Sequence, residues 1–213
     1  SIPFLGLTNE GMPRFYNERG VETLGDFNFS SSNINFLKYS GTLDPTDVGT
    51  LTNTFRYKNF TLSANINYEF GAVTRLRSIS NTDDYSAFPR ELTQRWKKPG
   101  DEAYTDIPRI PTSYAFDQYG ADNLINGFYA YSASTARIVS ADLVRLKEIS
   151  MEYTVSKTLL RRTPLKNLAV KLQAQNLMLL YSDARLRGDD PAYMYSSSVT
   201  APKKLILTLR VGL

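Results

Sequence analysis

From Phe60 to Phe70 the chain alternates without a break. Phe60, Leu62, Ala64, Ile66, Tyr68 and Phe70 are apolar, and Thr61, Ser63, Asn65, Asn67 and Glu69 between them are polar. Successive side chains of a strand point to opposite faces, so this segment is a strand with one apolar and one polar face. It is longer than the roughly five or six residues usual in soluble sheets, and close to what a tilted strand needs to cross a bilayer.

The pattern recurs. Leu205, Leu207, Leu209, Val211 and Leu213 share one face; Lys204, Ile206, Thr208, Arg210 and Gly212 share the other. Leu168, Val170, Leu172 and Ala174 oppose Ala169, Lys171, Gln173 and Gln175, and Ile149, Met151, Tyr153 and Val155 oppose Ser150, Glu152 and Thr154. A shorter run carrying Phe55 and Tyr57 reaches Phe60 through Lys58-Asn59, which suits a tight hairpin. Strands are therefore expected near 51–57, 60–71, 143–155, 168–179 and 204–213. Alternating Phe27/Phe29 and Ile34/Phe36 leave room for another strand or two within Val21–Tyr39.

Connection lengths also alternate. Two residues separate the first pair and about a dozen separate Val155 from Leu168, whereas 72–142 and 180–203 are long. Outer-membrane barrels have this organisation of short periplasmic turns and long extracellular loops. A loop as long as 72–142 would be anomalous in a small soluble domain. The expected fold is all-β, an antiparallel transmembrane barrel segment with 72–142 and 180–203 outside the cell. A soluble sandwich would show the same alternation; burial of Ala64 and Leu209 against a second sheet would mark it. Within 72–142, Arg90–Lys98 reads as a short helix between Pro89 and Pro99-Gly100. The remainder, rich in Tyr, Pro, Asp and Ser, reads as irregular and suited to binding.

Composition narrows the function. No stretch has the eighteen or so apolar residues of a membrane helix, and mean hydropathy is −0.32. A barrel averages out in the same way, because lipid-facing and lumen-facing residues alternate. The absence of Cys and His removes disulfides, thiol chemistry, the usual general base and the commonest metal ligand. The charge of +4 is spread along the chain, with no basic run for nucleic acid. Phosphate loops, metal clusters and nucleophile elbows are missing, and the pairs Asp83-Asp84 and Asp101-Glu102 are too close to straddle a scissile bond. No enzyme is expected. Ser-Ile-Pro-Phe at the start has no secretory-signal pattern, so an outer-membrane reading expects a fragment or a processed chain.

Several strings carry a resemblance. Leu51-Thr-Asn-Thr-Phe-Arg-Tyr-Lys-Asn-Phe60 with its continuation to Gly71, and Arg95-Trp-Lys-Lys-Pro-Gly-Asp101, are two of them. Leu143-Val-Arg-Leu-Lys-Glu-Ile-Ser-Met-Glu-Tyr-Thr154 and Leu172-Gln-Ala-Gln-Asn-Leu177 are two more. In this order they resemble the late-barrel region of SusC/RagA-type TonB-linked outer-membrane proteins, over roughly residues 40–213. The resemblance implies the C-terminal strands of a barrel of about 22 strands around an N-terminal plug that lies outside this chain. It also implies a SusD-like surface lipoprotein as partner and TonB–ExbB–ExbD as the energy source. Oligosaccharides or peptides would be the cargo, and the outer membrane of a Gram-negative bacterium the location. Ending on Leu213, where the family usually ends on Phe, and carrying Glu148 and Glu152, where it has Asn and Gly, are departures.

Candidate contacts to ligand or lipoprotein are Arg95 and Trp96 as a stacking platform, together with Tyr114, Tyr119, Tyr129 and Tyr131. Loop packing is the plainer reading of each. Leu205, Leu207, Leu209, Val211 and Leu213 are the candidate closing-strand assembly signal. No cofactor is expected; loop Ca²⁺ at Asp183, Asp189 and Asp190 is a minor reading beside solvated acids. Glu69, Glu152, Lys171 and Arg210 are expected to be hydrated or paired on the lumenal face. Two alternatives to nutrient import stand: a SusC-like barrel serving as a structural subunit, and a soluble all-β binding module.

Overall fold

Alternation fixes which side each residue of a strand faces, and pairing then joins those sides into continuous surfaces. The computed structural model describes residues 1–28, 32–77, 90–194 and 201–213. Its strands are β1 (Phe4–Leu7), β2 (Pro13–Tyr16), β3 (Glu22–Thr23), β4 (Asp47–Tyr57), β5 (Phe60–Phe70), β6 (Val73–Arg75), β7 (Ile138–Ser140), β8 (Leu143–Thr154), β9 (Asn167–Tyr181) and β10 (Lys204–Gly212). The chain forms two compact units, one of residues 1–40 and 75–138, the other of 41–74 and 139–213.

The second unit is an antiparallel sheet in the order β10-β9-β8-β5-β4. Each long strand pairs with the next long strand in sequence, an up-and-down meander. The pairing of β4 with β5 is in register from Asp47↔Phe70 to Tyr57↔Phe60, and the turn is Lys58-Asn59, with Lys58 at φ 52°. Between β8 and β9 lies a short helix, Lys157–Leu160. β4 starts four residues before the expected 51, and β9 runs past 179 to Tyr181. β10 pairs β9 from Lys204↔Gln175 to Gly212↔Asn167. The register of β8 slips against both neighbours between Leu146 and Glu148, leaving Lys147 opposite no strand partner. Asn176 across from this bulge takes φ 55°. Bulges of this kind twist a sheet and re-aim side chains.

The first unit holds the antiparallel sheet β1-β2-β3 and two helices, α1 (Ser113–Tyr119) and α2 (Ala121–Ser132). Its core joins Ile2, Phe15, Leu92, Ala130 and Tyr131, with Phe4, Phe27, Phe36 and Ile107 packed against them. The helices correct the expectation of an irregular segment. Thr112 Oγ1 accepts from the Ala115 amide at 3.4 Å and opens α1; Gly120, at φ 80°, ends it and starts α2. In α2, Leu124, Gly127, Phe128 and Tyr131 fall on one buried stripe at helical spacing. A Cβ at Gly127 would stand 2.5 Å from the Leu24 carbonyl oxygen, so only glycine lets the helix seat there.

Two further expectations are corrected. Within 21–39 the only described strand is Glu22–Thr23; Phe29 lies outside the described residues, and Phe27 and Phe36 enter the core singly, not as strand faces. The helix expected over Arg90–Lys98 is a single 3-10 turn, Arg90–Gln94. It stops because the Trp96 amide donates to Ile107 O at 2.9 Å and the Lys97 and Lys98 amides donate to Asp101 Oδ2.

Candidate functional site

Cross-strand register turns the apolar positions into rows. One row reads Phe55–Leu62–Met151–Leu172–Leu207, the next toward the hairpin Tyr57–Phe60–Tyr153–Val170–Leu209. On the long-segment side follow Asn53–Ala64–Ile149–Ala174–Leu205 and then Leu51–Ile66–Leu146–Met178. Nothing covers this face within the described residues of the unit. The first row is 66%, 45%, 47%, 47% and 72% exposed, and Leu209 is exposed as well. Each large apolar side chain left in water forgoes about 1.5–3 kcal/mol, so a face built this way requires an apolar surrounding.

The face is also bounded. Phe60 and Tyr153 rings sit 4.7 Å apart at the hairpin end, and Tyr68 stacks beside Phe70 at 5.3 Å at the other. The ten residue steps between Phe60 and Phe70, at ~3.3 Å each and tilted ~40°, span a band of about 25 Å.

The opposite face is polar and internally bonded. Thr54 and Ser63 hydroxyls meet at 3.0 Å, Gln175 Nε2 donates to Glu148 Oε2 at 3.0 Å, and Arg210 pairs with Glu152 at 3.2 Å. Ser150 on this side is only 7% exposed. A polar face bonded within itself beside an apolar face left uncovered is the inverse of a soluble sheet. It is the arrangement of a barrel wall around a polar lumen.

At the long-segment end of this wall is a cavity of about 830 Å³, whose lining includes Asn67, Glu69, Arg145, Lys147, Asn176 and Tyr193. Arg145 grips both Asp190 carboxylate oxygens at 2.7 Å, and Asp190 also accepts from the Ala192 amide. This fork ties the segment after β9 to the strand wall. Asp183 accepts from Ser140 N and from Arg185. Burial alone would raise the Asp183 pKa, but these hydrogen bonds outweigh it and hold the carboxyl below its usual value. Arginines thus engage two of the three acids considered for Ca²⁺. Among the described residues no three acidic side chains are grouped to hold a metal.

The candidate contact residues separate by burial. Trp96 is buried: its Nε1 donates to Glu102 Oε2 at 2.9 Å, Arg109 lies 5.9 Å above its ring, and Gly11 lies against it. Arg95 donates to Leu92 O at 2.9 Å. Tyr131 is in the core, edge-on to Phe4 with Arg137 at 5.4 Å, and burial pushes its pKa up to about 12. Tyr119 hydrogen-bonds Glu10. Tyr114 and Tyr129 alone among them are well exposed. The structure therefore builds no stacking platform from Trp96. In Asp101-Glu102 both carboxylates accept backbone or indole N–H groups that close the Arg95–Asp101 loop, while Asp83-Asp84 lie outside the described residues. Sequence reasoning did not find the Arg145–Asp190 and Arg137–Glu91 pairs; each joins residues some forty-five apart, and no local pattern signals that. Leu205, Leu207, Leu209 and Val211 share the exposed apolar face of β10, and Leu213, also exposed, follows its last residue, Gly212.

Sheet order, register and the sided faces define the class: an antiparallel segment of a β-barrel. No protein-family model matches the chain, and neither does any curated protein. Solved structures do. The chain is similar to one from the RagAB peptide importer in the open-open state, with a TM-score of 0.64 and 16% identity, over 100% of this chain and 22% of that one. It is also similar to chains of the same importer in the closed-closed state (TM-score 0.59, 18% identity, 89% and 20% covered) and of the RagAB peptide transporter (0.58, 18%, 85% and 18%). At these identities the likeness is one of fold, and this chain spans about a fifth of their length.

Proposed function

We propose that this chain supplies barrel wall and outer segments to a SusC-like, TonB-dependent outer-membrane transporter. The observation that carries it is the five-stranded sheet with an exposed apolar face and a bonded polar face. The band of about 25 Å, edged by aromatics, matches the lipid-facing belt of outer-membrane barrels. The soluble module is disfavoured for the same reason: among the described residues of the unit no second sheet covers Leu209. Fold likeness to a peptide importer, with the resemblance of the sequence strings, favours large nutrients and specifically peptides as cargo. A SusD-like lipoprotein would meet the exposed Tyr114 and Tyr129 side of the outer segment. Energy would come from TonB–ExbB–ExbD through a plug, and no residue here would perform chemistry.

The test is fractionation of the whole protein followed by uptake. It should be recovered in the outer membrane with a co-purifying lipoprotein, and its deletion should abolish import of fluorescent oligopeptides. Recovery as a soluble periplasmic species would overturn the membrane reading; unchanged peptide import in the deletion strain would overturn the cargo.

A further inference from the structure

The hairpin end of the sheet concentrates positive charge. Register brings the Lys58-Asn59 turn and the 155–166 connection to the same end: Phe60 pairs with Tyr153, the Thr154 amide donates to Asn59 O at 2.9 Å, and the Lys166 amide donates to Gly212 O at 2.8 Å. Lys58, Lys157, Arg161, Arg162 and Lys166 are all exposed there, and no Asp or Glu occurs between residues 155 and 167. Among the described residues none of these five cations has a carboxylate partner; Glu152, the nearest acid along the chain, is taken by Arg210. The neighbouring ring is an interfacial one. Tyr57, Phe60 and Tyr153 end the apolar face just inside the cations, and Lys58 Nζ lies 5.3 Å from the Tyr57 ring centre. Leu159 stands exposed among the cations, whereas Leu160 beside it is buried.

Unpaired cations repel one another, and five at one rim persist only with an anionic counterpart or bulk counterions. Their place, directly beyond an aromatic girdle, is the depth of lipid headgroups. Leu159 adds an apolar anchor that a free phosphate ion would not use. We propose that this rim binds the headgroups of anionic phospholipids in the leaflet it faces. The inference rests on the membrane reading above and adds a lipid preference to it.

The experiment uses the whole protein reconstituted in phosphatidylcholine vesicles containing a minority of phosphatidylglycerol. The protein is extracted in native discs, and its retained lipid is weighed by mass spectrometry against the bulk composition. Each Lys or Arg near an anionic surface contributes a factor of about five in binding. Phosphatidylglycerol should be enriched several-fold around the wild type and around Arg161→Lys/Arg162→Lys. It should return to bulk in Lys157→Gln/Arg161→Gln/Arg162→Gln/Lys166→Gln, and the wild-type enrichment should fall as salt rises. Equal enrichment in wild type and the glutamine variant, or none in a properly inserted wild type, overturns the lipid site alone. Loss of enrichment to dilute inorganic phosphate at constant ionic strength would mark a phosphate site and overturn the lipid assignment. Failure of the wild type to insert at all would bring down the membrane reading beneath it.

Discussion

If the exposed face of the sheet meets hydrocarbon, the cost of a charge on it depends on depth. Phe60, Leu62, Ala64, Ile66 and Tyr68 mark successive depths on β5, with Phe60 in one aromatic edge and Tyr68 in the other. Ala64 is central, flanked by Asn53 and Ile149. Arginine at the midplane of a barrel costs about 2–4 kcal/mol, falling to about 0–1 near the interfaces. Ala64→Arg should then lower the folded-to-unfolded ratio roughly 150-fold, taking 3 kcal/mol as the centre of that range. Leu62→Arg and Ile66→Arg should be intermediate. Thr54→Arg, on the polar side, should cost little. Heat-modifiable gel mobility of the whole protein refolded into vesicles over a urea series would read each value. A profile flat along β5, or an Ala64→Arg variant as stable as wild type, would mean that the face meets water and would refute the argument.

Three more outcomes follow from local geometry. Asp190→Asn removes the charge that Arg145 grips; hydrogen bonds to a charged group contribute about 1.5–3 kcal/mol, and the partial exposure of Arg145 discounts this toward about 1. Hydrogen exchange in 184–193 should quicken while β8 stays protected, and unchanged exchange would deny the tether. The Glu102 carboxyl is held below its ordinary pKa of 4.5, chiefly by the Trp96 indole N–H. A depressed folded pKa means the stabilisation is present above the ordinary value and is lost as pH falls through the depressed one. A fluorotryptophan signal at Trp96 should therefore move below pH 4.5 and lose that transition in Glu102→Gln; a signal flat through the acid range would contradict the coupling. Gly11→Ala should loosen the first unit by more than about 1 kcal/mol, because φ is 76° and the new Cβ would fall 2.5 Å from Trp96 Cδ2. Protease resistance of the segment around residue 100 equal to wild type would rule that out.

The fold class was legible because a strand writes its two faces into adjacent residues. At Phe60–Phe70 every second side chain is apolar, and no distant partner is needed to read that. What the alternation does not contain is the medium that the apolar face meets. Only cross-strand register, which sets Leu62 beside Met151 and Leu172, shows a face with no cover among the described residues of its unit. The helices were less visible. α2 carries its stripe at Leu124, Phe128 and Tyr131, but Gly127 and the polar Asn and Tyr residues between them dilute it. Trp96 reads from the sequence as a loop-packing residue first and a stacking platform second, because aromatic and guanidinium groups sit side by side at Arg95-Trp96. Its burial depends on Gly11 and Arg109, one far upstream and the other past the loop. The acids near Asp190 read as solvated or metal-binding for a similar reason, since Arg145 lies two strands earlier in order.

The sheet also limits what can complete it. Five strands with antiparallel neighbours leave β4 and β10 parallel to each other, each with one edge unpaired among the described residues. In hydrocarbon an unpaired edge has no water to satisfy its N–H and C=O groups, so under the proposed membrane reading the sheet must close. Five strands cannot close on themselves, because the smallest membrane barrels need about eight. A wholly antiparallel closure between two parallel edges requires an odd number of further strands, and therefore an even total. That parity agrees with the even counts of single-chain bacterial barrels and with the strand number that the sequence strings imply. β10 is then an ordinary wall strand with respect to β9 and a seam on its other side. The exposed Leu205, Leu207, Leu209 and Val211 continue the rows of β9, so the same apolar band can run on across that seam.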